Sequence, residues 1–73
     1  MKIILQRNEL FDGYRLYSFE LVPGTSVYNT TFINRINQTF DARFDIGKGV
    51  FLDNLPFTAD CNAVRNVILS HRQ

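Results

Sequence analysis

The residue types that carry most protein chemistry are few in this chain. It contains one cysteine, Cys61, and one histidine, His71, which could act as nucleophile and base or could ligate a metal ion. Both fall in one predicted helix, ten residues apart, which corresponds to about 15 Å of helix rise. Because the two side chains cannot meet within one chain, the sequence predicts that Cys61 is a small core residue and that His71 is a cation at a helix end.

Three aspartates are the next candidates, since paired carboxylates serve acid–base catalysis and bind hard metal ions. Asp41 and Asp45 alternate with apolar residues in one predicted strand, and a spacing of four residues separates them by about 13 Å. This spacing indicates solvated side chains on a polar sheet face, and Asp53 is interpreted in the same way. The sequence therefore predicts no metal site, no cofactor and no catalytic carboxylate pair.

The segment Gly47-Lys48-Gly49 has a superficial likeness to a phosphate-binding loop. A Walker motif needs a longer glycine-rich loop that ends in Lys-Ser or Lys-Thr and leads into a helix. Here the segment leads into the apolar residues Val50-Phe51-Leu52. The sequence predicts a tight hairpin turn with Lys48 at its exposed tip.

Aromatic and arginine side chains on the predicted N-terminal hairpin are the remaining candidates. Strict alternation along the second strand places Tyr14 and Leu16 opposite the core side, which would carry Tyr17 and Phe19. On an exposed hairpin such side chains could stack nucleic-acid bases or contact a protein, whereas ordinary sheet packing is the alternative. We predict that Tyr14, Arg15 and Leu16 are interaction residues.

A hairpin and a helix in the second half of the chain would position many of these residues. Segment 38–46 alternates as a half-buried strand does, and segment 50–52 can return after the glycine turn. A helix is predicted over about 59–71, with Thr58 as N-cap and Asp60 in the first turn. Its apolar stripe, which needs a sheet face to cover, consists of Cys61, Val64, Val67 and Ile68.

The sequence also predicts a hairpin in the first half of the chain. Strands are expected over 2–7 and 14–22, joined by a type I′ turn at Asp12-Gly13. A two-residue turn there would pair Ile4 with Leu21, whereas a longer loop over 8–13 would change this register.

The segment 26–37 allows two interpretations. Its apolar residues recur at helical spacing, which favours a helix over 26–37. Its many Asn and Thr residues are poor in helix interiors, so the alternative is a third strand over 27–33 with a turn at 34–37.

The sequence thus predicts one α+β domain over 1–73. The expected order is ββαββα, with two hairpins forming an antiparallel sheet and the middle and C-terminal helices packed on one face. The alternative is a five-stranded meander with one C-terminal helix. Ten aromatic residues in a chain of 73 are many for a small core, so we expect some of them at the surface, where a partner or a second copy could bind.

Composition restricts the setting of the protein. The single cysteine favours a reducing compartment, and the sequence contains no signal-peptide core and no apolar stretch of membrane-spanning length. These features predict a cytoplasmic protein without a membrane partner. The net charge is +1, and both signs are dispersed along the chain, which gives no local patch for duplex nucleic acid.

These observations together favour a non-enzymatic protein-interaction module without a small-molecule substrate. It would act as a regulator, inhibitor or adaptor, a kind of protein that phages and plasmids often encode. The expected partner is another protein or a second copy in a homodimer. The alternative function, which is less favoured, is nucleic-acid binding through a β-ribbon or a sheet face.

Overall fold

The computed structural model describes residues 2–6, 10–54 and 60–71. Within these ranges six strands form one antiparallel sheet and one helix follows them, so the α+β class is confirmed. The strands are β1 (Lys2–Ile4), β2 (Leu10–Phe11), β3 (Tyr14–Leu21), β4 (Val27–Ile33), β5 (Thr39–Asp45) and β6 (Val50–Phe51), and the helix is α1 (Cys61–His71).

The sheet is a meander in the order β1-β3-β4-β5-β6, with β2 also paired to β3. Since β1 and β2 pair with different parts of β3, they follow one another along the same edge of the sheet. The arrangement matches the alternative prediction of a meander with a C-terminal helix. The predicted ββαββα order is wrong, because the segment 26–37 contains a strand and a turn instead of a helix.

The strand β4 explains why its segment resembles a helix in sequence. Side chains four residues apart share a side of both a helix and a strand, so Tyr28 and Phe32 fit either structure. Between them Thr30 is also buried, and its hydroxyl donates a hydrogen bond to the Ala42 carbonyl at 2.8 Å. A polar residue therefore occupies a core position and conceals the alternation of the strand.

The predicted turn at the first hairpin is confirmed. Asp12 and Gly13 have φ values of 53° and 83°, and Phe11 pairs with Tyr14 across them. Further along the hairpin the register differs, because Ile4 pairs with Ser18 and not with Leu21. Extra residues between β1 and β2 cause this shift, and residues 7–9 lie outside the described part of the chain.

A β-bulge in β3 decides which of its side chains face the core. Leu16 pairs with Phe32, but the register shifts before Ser18, so Tyr17 is an extra residue in the strand. The extra residue changes the alternation, and Leu16 and Phe19 are both buried in the core. The prediction that Leu16 lies on the exposed face is therefore wrong.

The core between the sheet and α1 is filled largely by aromatic rings. They meet edge to face, with centroid distances of 6.3 Å for Phe11–Phe32, 5.9 Å for Phe32–Phe51 and 4.9 Å for Phe44–Phe51. Every aromatic residue in the described ranges is buried or half-buried, and the exposed large hydrophobic residues there are aliphatic. The expectation of exposed aromatic side chains is thus wrong for this part of the chain.

Asp60 caps the helix α1. Its Oδ1 accepts hydrogen bonds from the backbone N–H groups of Asn62 at 3.0 Å and Ala63 at 3.2 Å, which have no partner within the helix. Asp60 is therefore the N-cap and not a residue of the first turn. The predicted cap Thr58 lies outside the described residues.

The predicted apolar stripe of α1 is confirmed. Val64 and Ile68 are fully buried, and Cys61 and Val67 pack against the same core. These contacts hold the helix on the sheet.

We expect Ile68→Ala to lower the free energy of unfolding by about 2–5 kcal/mol, because it leaves a cavity in the core. Leu69→Ala is the matched control, since Leu69 is the adjacent residue and is 44% exposed. It should change the free energy by about 0.5 kcal/mol or less. Urea unfolding followed by circular dichroism measures both, and equal losses would contradict the assignment of the buried helix face.

Candidate functional site

The residues with the most reactive side chains stay apart in the structure. Cys61 and His71 are the first and last residues of α1. The His71 Nδ1 atom lies 3.0 Å from the Val67 carbonyl oxygen, and its ring lies edge-on to Phe19. Among the described residues no group of three or more His, Cys, Asp or Glu side chains could hold a metal ion.

Asp45 organises the turn between β5 and β6. Its Oδ1 accepts hydrogen bonds from the Ser26 hydroxyl at 2.8 Å and from the backbone N–H groups of Gly47 at 3.0 Å and Lys48 at 3.2 Å. The Ser26 hydrogen bond, with the help of the two backbone donors, lowers the pKa of Asp45. The prediction of a solvated Asp45 is wrong, because the turn closes around its carboxylate and buries it.

The predicted hairpin turn at 47–49 is confirmed, and its two glycines have different roles. Gly49 has a φ of 71°, which disfavours a side chain. At Gly47 the reason is space, because a Cβ atom would lie 3.3 Å from the Asp45 Oδ1 and 3.4 Å from the Ser26 Oγ. Lys48 is exposed at the tip.

Asp53 forms an ion pair with Arg43. Its Oδ1 lies 2.8 Å from the Arg43 Nη2, and its Oδ2 accepts a hydrogen bond from the Arg43 backbone N–H at 2.9 Å. The side-chain hydrogen bond between the two groups lowers the pKa of Asp53 and raises that of Arg43, and the Arg43 backbone N–H lowers the pKa of Asp53 further. The backbone of Arg43 is thus bonded on this side by two groups, since the Leu52 N–H also donates to the Arg43 carbonyl oxygen at 2.7 Å. Asp41, in contrast, is exposed and accepts a hydrogen bond from the Thr31 hydroxyl at 3.1 Å.

Two turns meet at one end of the sheet. Arg15, at the start of β3, pairs with Ile33, at the end of β4, so the turn at 12–13 lies beside the turn at 34–38. We call the side chains gathered there the turn-end surface, and its residues are Leu10, Tyr14, Arg15, Ile33, Arg35 and Ile36.

The second of these turns is closed by the side chain of Asn34. Its Oδ1 accepts hydrogen bonds from the backbone N–H groups of Ile36 at 3.1 Å and Gln38 at 2.8 Å, and its Nδ2 donates to the Gln38 Oε1 at 2.9 Å. Asn37 supplies a φ of 62°, a value that Asn tolerates better than most residues. Asn34 therefore fixes the backbone that carries Arg35 and Ile36.

The structure brings two of the three predicted interaction residues to the turn-end surface. Tyr14 is half-buried, and its ring meets that of Phe40 edge-on at 5.4 Å. The Arg15 guanidinium lies over the Tyr17 ring, 5.5 Å from its centroid. Leu16, the third predicted residue, lies in the core.

Sequence reasoning missed the rest of this surface. Leu10 and Ile36 are 65% and 71% exposed, the highest values among the large hydrophobic residues that the structure describes. Arg35 lies beside Ile36 in the turn. The signal that could have revealed them is the group of Asn residues at 34 and 37, which is typical of a turn.

Two hollows open on either side of Arg35. The larger, of about 450 Å³, is lined by Asp12, Gly13, Tyr14, Asn34, Arg35 and Ile36. The smaller, of about 210 Å³, shares Gly13, Asn34 and Arg35 with it and adds Leu10, Arg15 and Ile33. A Cβ atom on Gly13 would lie 3.9 Å from the Arg35 Nε, so the two turns lie close together between the hollows.

Away from the turns, the sheet face opposite α1 is polar. One row of cross-strand neighbours on it runs from Lys2 through Glu20 and Asn29 to Arg43. A hollow of about 360 Å³ next to this row includes Asn29, Arg43 and Asp53 in its lining. Charges of both signs therefore occur on this face.

No protein-family model, curated protein or solved structure matches this chain. In the described residues no helix is both long enough and apolar enough to cross a membrane. Inference about function therefore depends on the geometry and the charges of the turn-end surface.

We expect Asp45→Asn to make stability less dependent on pH. The folded state lowers the pKa of Asp45, so its carboxylate stabilises the fold above the pKa of an unfolded aspartate, about 3.9, and this stabilisation is lost as the pH falls through the lower folded-state pKa. The variant should unfold more easily at pH 7, and its difference from the parent should shrink below about pH 4. Asp41→Asn controls for the change in net charge, and a constant difference from pH 7 to pH 2 would contradict the expectation.

Asn34→Ala should lower the free energy of unfolding by about 1 kcal/mol or more, because two backbone N–H groups lose their acceptor. Asn34→Asp keeps an acceptor oxygen and loses only the bond to the Gln38 side chain, so it should be closer to the parent. Denaturant unfolding compares the two variants, and an Asp variant as unstable as the Ala variant would show that the backbone bonds matter little.

Proposed function

We propose that this protein is a small non-enzymatic interaction module, which acts as a regulator, inhibitor or adaptor by occupying the surface of another protein. The observation that carries the proposal is the turn-end surface, where the two most exposed large hydrophobic residues of the described chain flank two hollows and two arginines. A polar rim around exposed apolar side chains is typical of binding sites.

The energetics of the exposed residues support this function. Full burial of a Leu or Ile side chain is favourable by about 1.5–3 kcal/mol relative to full exposure, and Leu10 and Ile36 keep most of that surface in water. A few well-placed anchors often dominate the affinity of an interface. In the proposed function Leu10 and Ile36, which lie beside the two hollows, are such anchors.

The turns that carry these anchors are already ordered. Asn34 accepts two backbone hydrogen bonds in one turn, and the other turn has the two residues of a type I′ hairpin. An ordered surface loses less conformational entropy on binding than a flexible loop does. This geometry favours recognition of a partner by a rigid site.

The roles of the ionisable side chains also favour a function without catalysis. Asp45 accepts three hydrogen bonds within a turn, and Asp53 pairs with Arg43. His71 lies against a backbone carbonyl of its own helix. These groups are engaged in holding the fold, and Cys61 at the other end of α1 packs against the core, as a small apolar residue does. A reducing, cytoplasmic setting suits such a cysteine.

Nucleic-acid binding is the second candidate, and one contact favours it. Arg15 lies over the ring of Tyr17, and stacked arginine and aromatic groups are common in proteins that bind single strands. Such binding would depend steeply on salt, because each phosphate contact releases counterions. Protein binding through aliphatic anchors would depend on salt much less.

The partner can also be a second copy of the chain, since one surface can cover its own copy about a twofold axis. The residues for such a homodimer are those of the turn-end surface, and Leu16 is not among them. Light scattering at high micromolar concentration would show a dimer that the double substitution Leu10→Ser and Ile36→Ser converts to a monomer.

Affinity capture from a lysate of the cells that encode the protein tests the proposed function. We expect a stoichiometric protein that survives nuclease treatment and high salt and that is lost with the double variant Leu10→Ser and Ile36→Ser. Leu69→Ser is the matched control, because Leu69 is an exposed aliphatic residue on α1. Capture that nuclease abolishes, or equal loss with the control, would count against the proposal.

A further inference from the structure

We infer that the turn-end surface binds an acidic segment of a protein partner, with carboxylates at Arg15 and Arg35 and an apolar side chain in the larger hollow beside Tyr14 and Ile36. The inference deepens the proposed function and rests on it. It specifies the chemistry of the partner and the side chains that recognise it.

The first argument concerns the groups that the Arg15 and Arg35 side chains contact. Arg43 is paired with Asp53 at 2.8 Å, which shows how this chain satisfies a guanidinium with its own carboxylate. Arg15 instead contacts the Tyr17 ring, and among the described residues neither Arg15 nor Arg35 forms a hydrogen bond or ion pair with a carboxylate. Each guanidinium carries five N–H donors, arranged to bind a carboxylate through two parallel hydrogen bonds.

The second argument is that both arginines line one hollow. The hollow of about 210 Å³ includes Arg15 and Arg35, and none of its lining residues is acidic. Its walls include Leu10 and Ile33, and apolar walls reduce the screening of charge by water. The concave space is therefore positive and complementary to one or two carboxylates.

The third argument is that the Arg15 guanidinium and the backbone that carries Arg35 are held in place. Arg15 stacks on Tyr17, which limits its rotamers, and Arg35 belongs to the turn that Asn34 closes. A donor that is already oriented loses less entropy when a carboxylate binds.

The apolar surroundings favour a protein partner over a nucleic acid. Exposed side chains next to the arginines are Leu10 and Ile36, whereas single-strand platforms use exposed aromatic rings. The two aromatic rings near the arginines, Tyr14 and Tyr17, are both half-buried. An apolar side chain of a peptide can enter the larger hollow, whose lining includes Tyr14 and Ile36.

A randomised peptide library displayed on phage tests this inference without knowledge of the natural partner. Selection on the parent protein should enrich peptides with two or more acidic residues next to an apolar residue. In the double variant Arg15→Gln and Arg35→Gln this enrichment should disappear. Lys48→Gln is the matched control, because it removes one exposed positive charge from the β5–β6 turn, away from the turn-end surface, and it should retain the enrichment.

A synthetic copy of the most enriched peptide then gives affinities by fluorescence anisotropy. Each single Arg→Gln substitution should weaken binding about tenfold, as expected for the loss of a charge-assisted hydrogen-bonded pair. Replacing the acidic residues of the peptide by Gln should have a similar effect. Circular dichroism and unchanged melting temperatures would confirm that the variants remain folded.

The inference fails if no peptide is enriched, if enriched peptides lack acidic residues, or if the Lys48→Gln variant loses as much affinity as the arginine variants. It also fails if an oligothymidylate displaces the peptide and binds more tightly. A protein captured from the lysate that still binds the double arginine variant would overturn the inference and leave the proposed function intact. Failure to capture any protein would instead count against the proposed function.

Discussion

The extra residue in β3 determines which side chains lie on each face of the sheet. A strand with strict alternation could not place both Leu16 and Phe19 on the side of α1, because they are an odd number of positions apart. The bulge at Tyr17 allows both to enter the core and leaves Tyr17 beside Arg15 on the other side. One backbone irregularity thus completes the core and orients a guanidinium of the turn-end surface.

Much of the fold follows from local sequence signals. The turn at Asp12-Gly13, the second hairpin and the apolar stripe of α1 each rest on one unambiguous pattern, and the structure has all three. The strand β4 has no such unambiguous pattern. Tyr28 and Phe32 fit the spacing of a helix as well as that of a strand, and the third buried residue, Thr30, is polar. Burial of Thr30 depends on an acceptor in another strand, which local pattern cannot reveal.

The sequence predicts less of the candidate site than of the fold. The prediction that Tyr14 and Arg15 are interaction residues rests on their residue types, and both lie at the turn-end surface. The sequence places Leu16 on the wrong face, because a bulge leaves no clear mark in the sequence. Leu10, Arg35 and Ile36 belong to different segments and meet only because two turns lie at the same end of a meander. Such a juxtaposition follows from topology and register, which a single sequence specifies only weakly.

In the turn closed by Asn34, the residues that hold the backbone are different from the residues of the proposed binding surface. Asn34 and Gln38 carry its side-chain hydrogen bonds, while the side chains of Arg35 and Ile36 contribute none. Mutations at positions 35 and 36 can therefore accumulate with little loss of stability. In evolution, related chains could change their targets at these two positions while keeping one fold, and the same turn offers a short randomisable loop on a small scaffold.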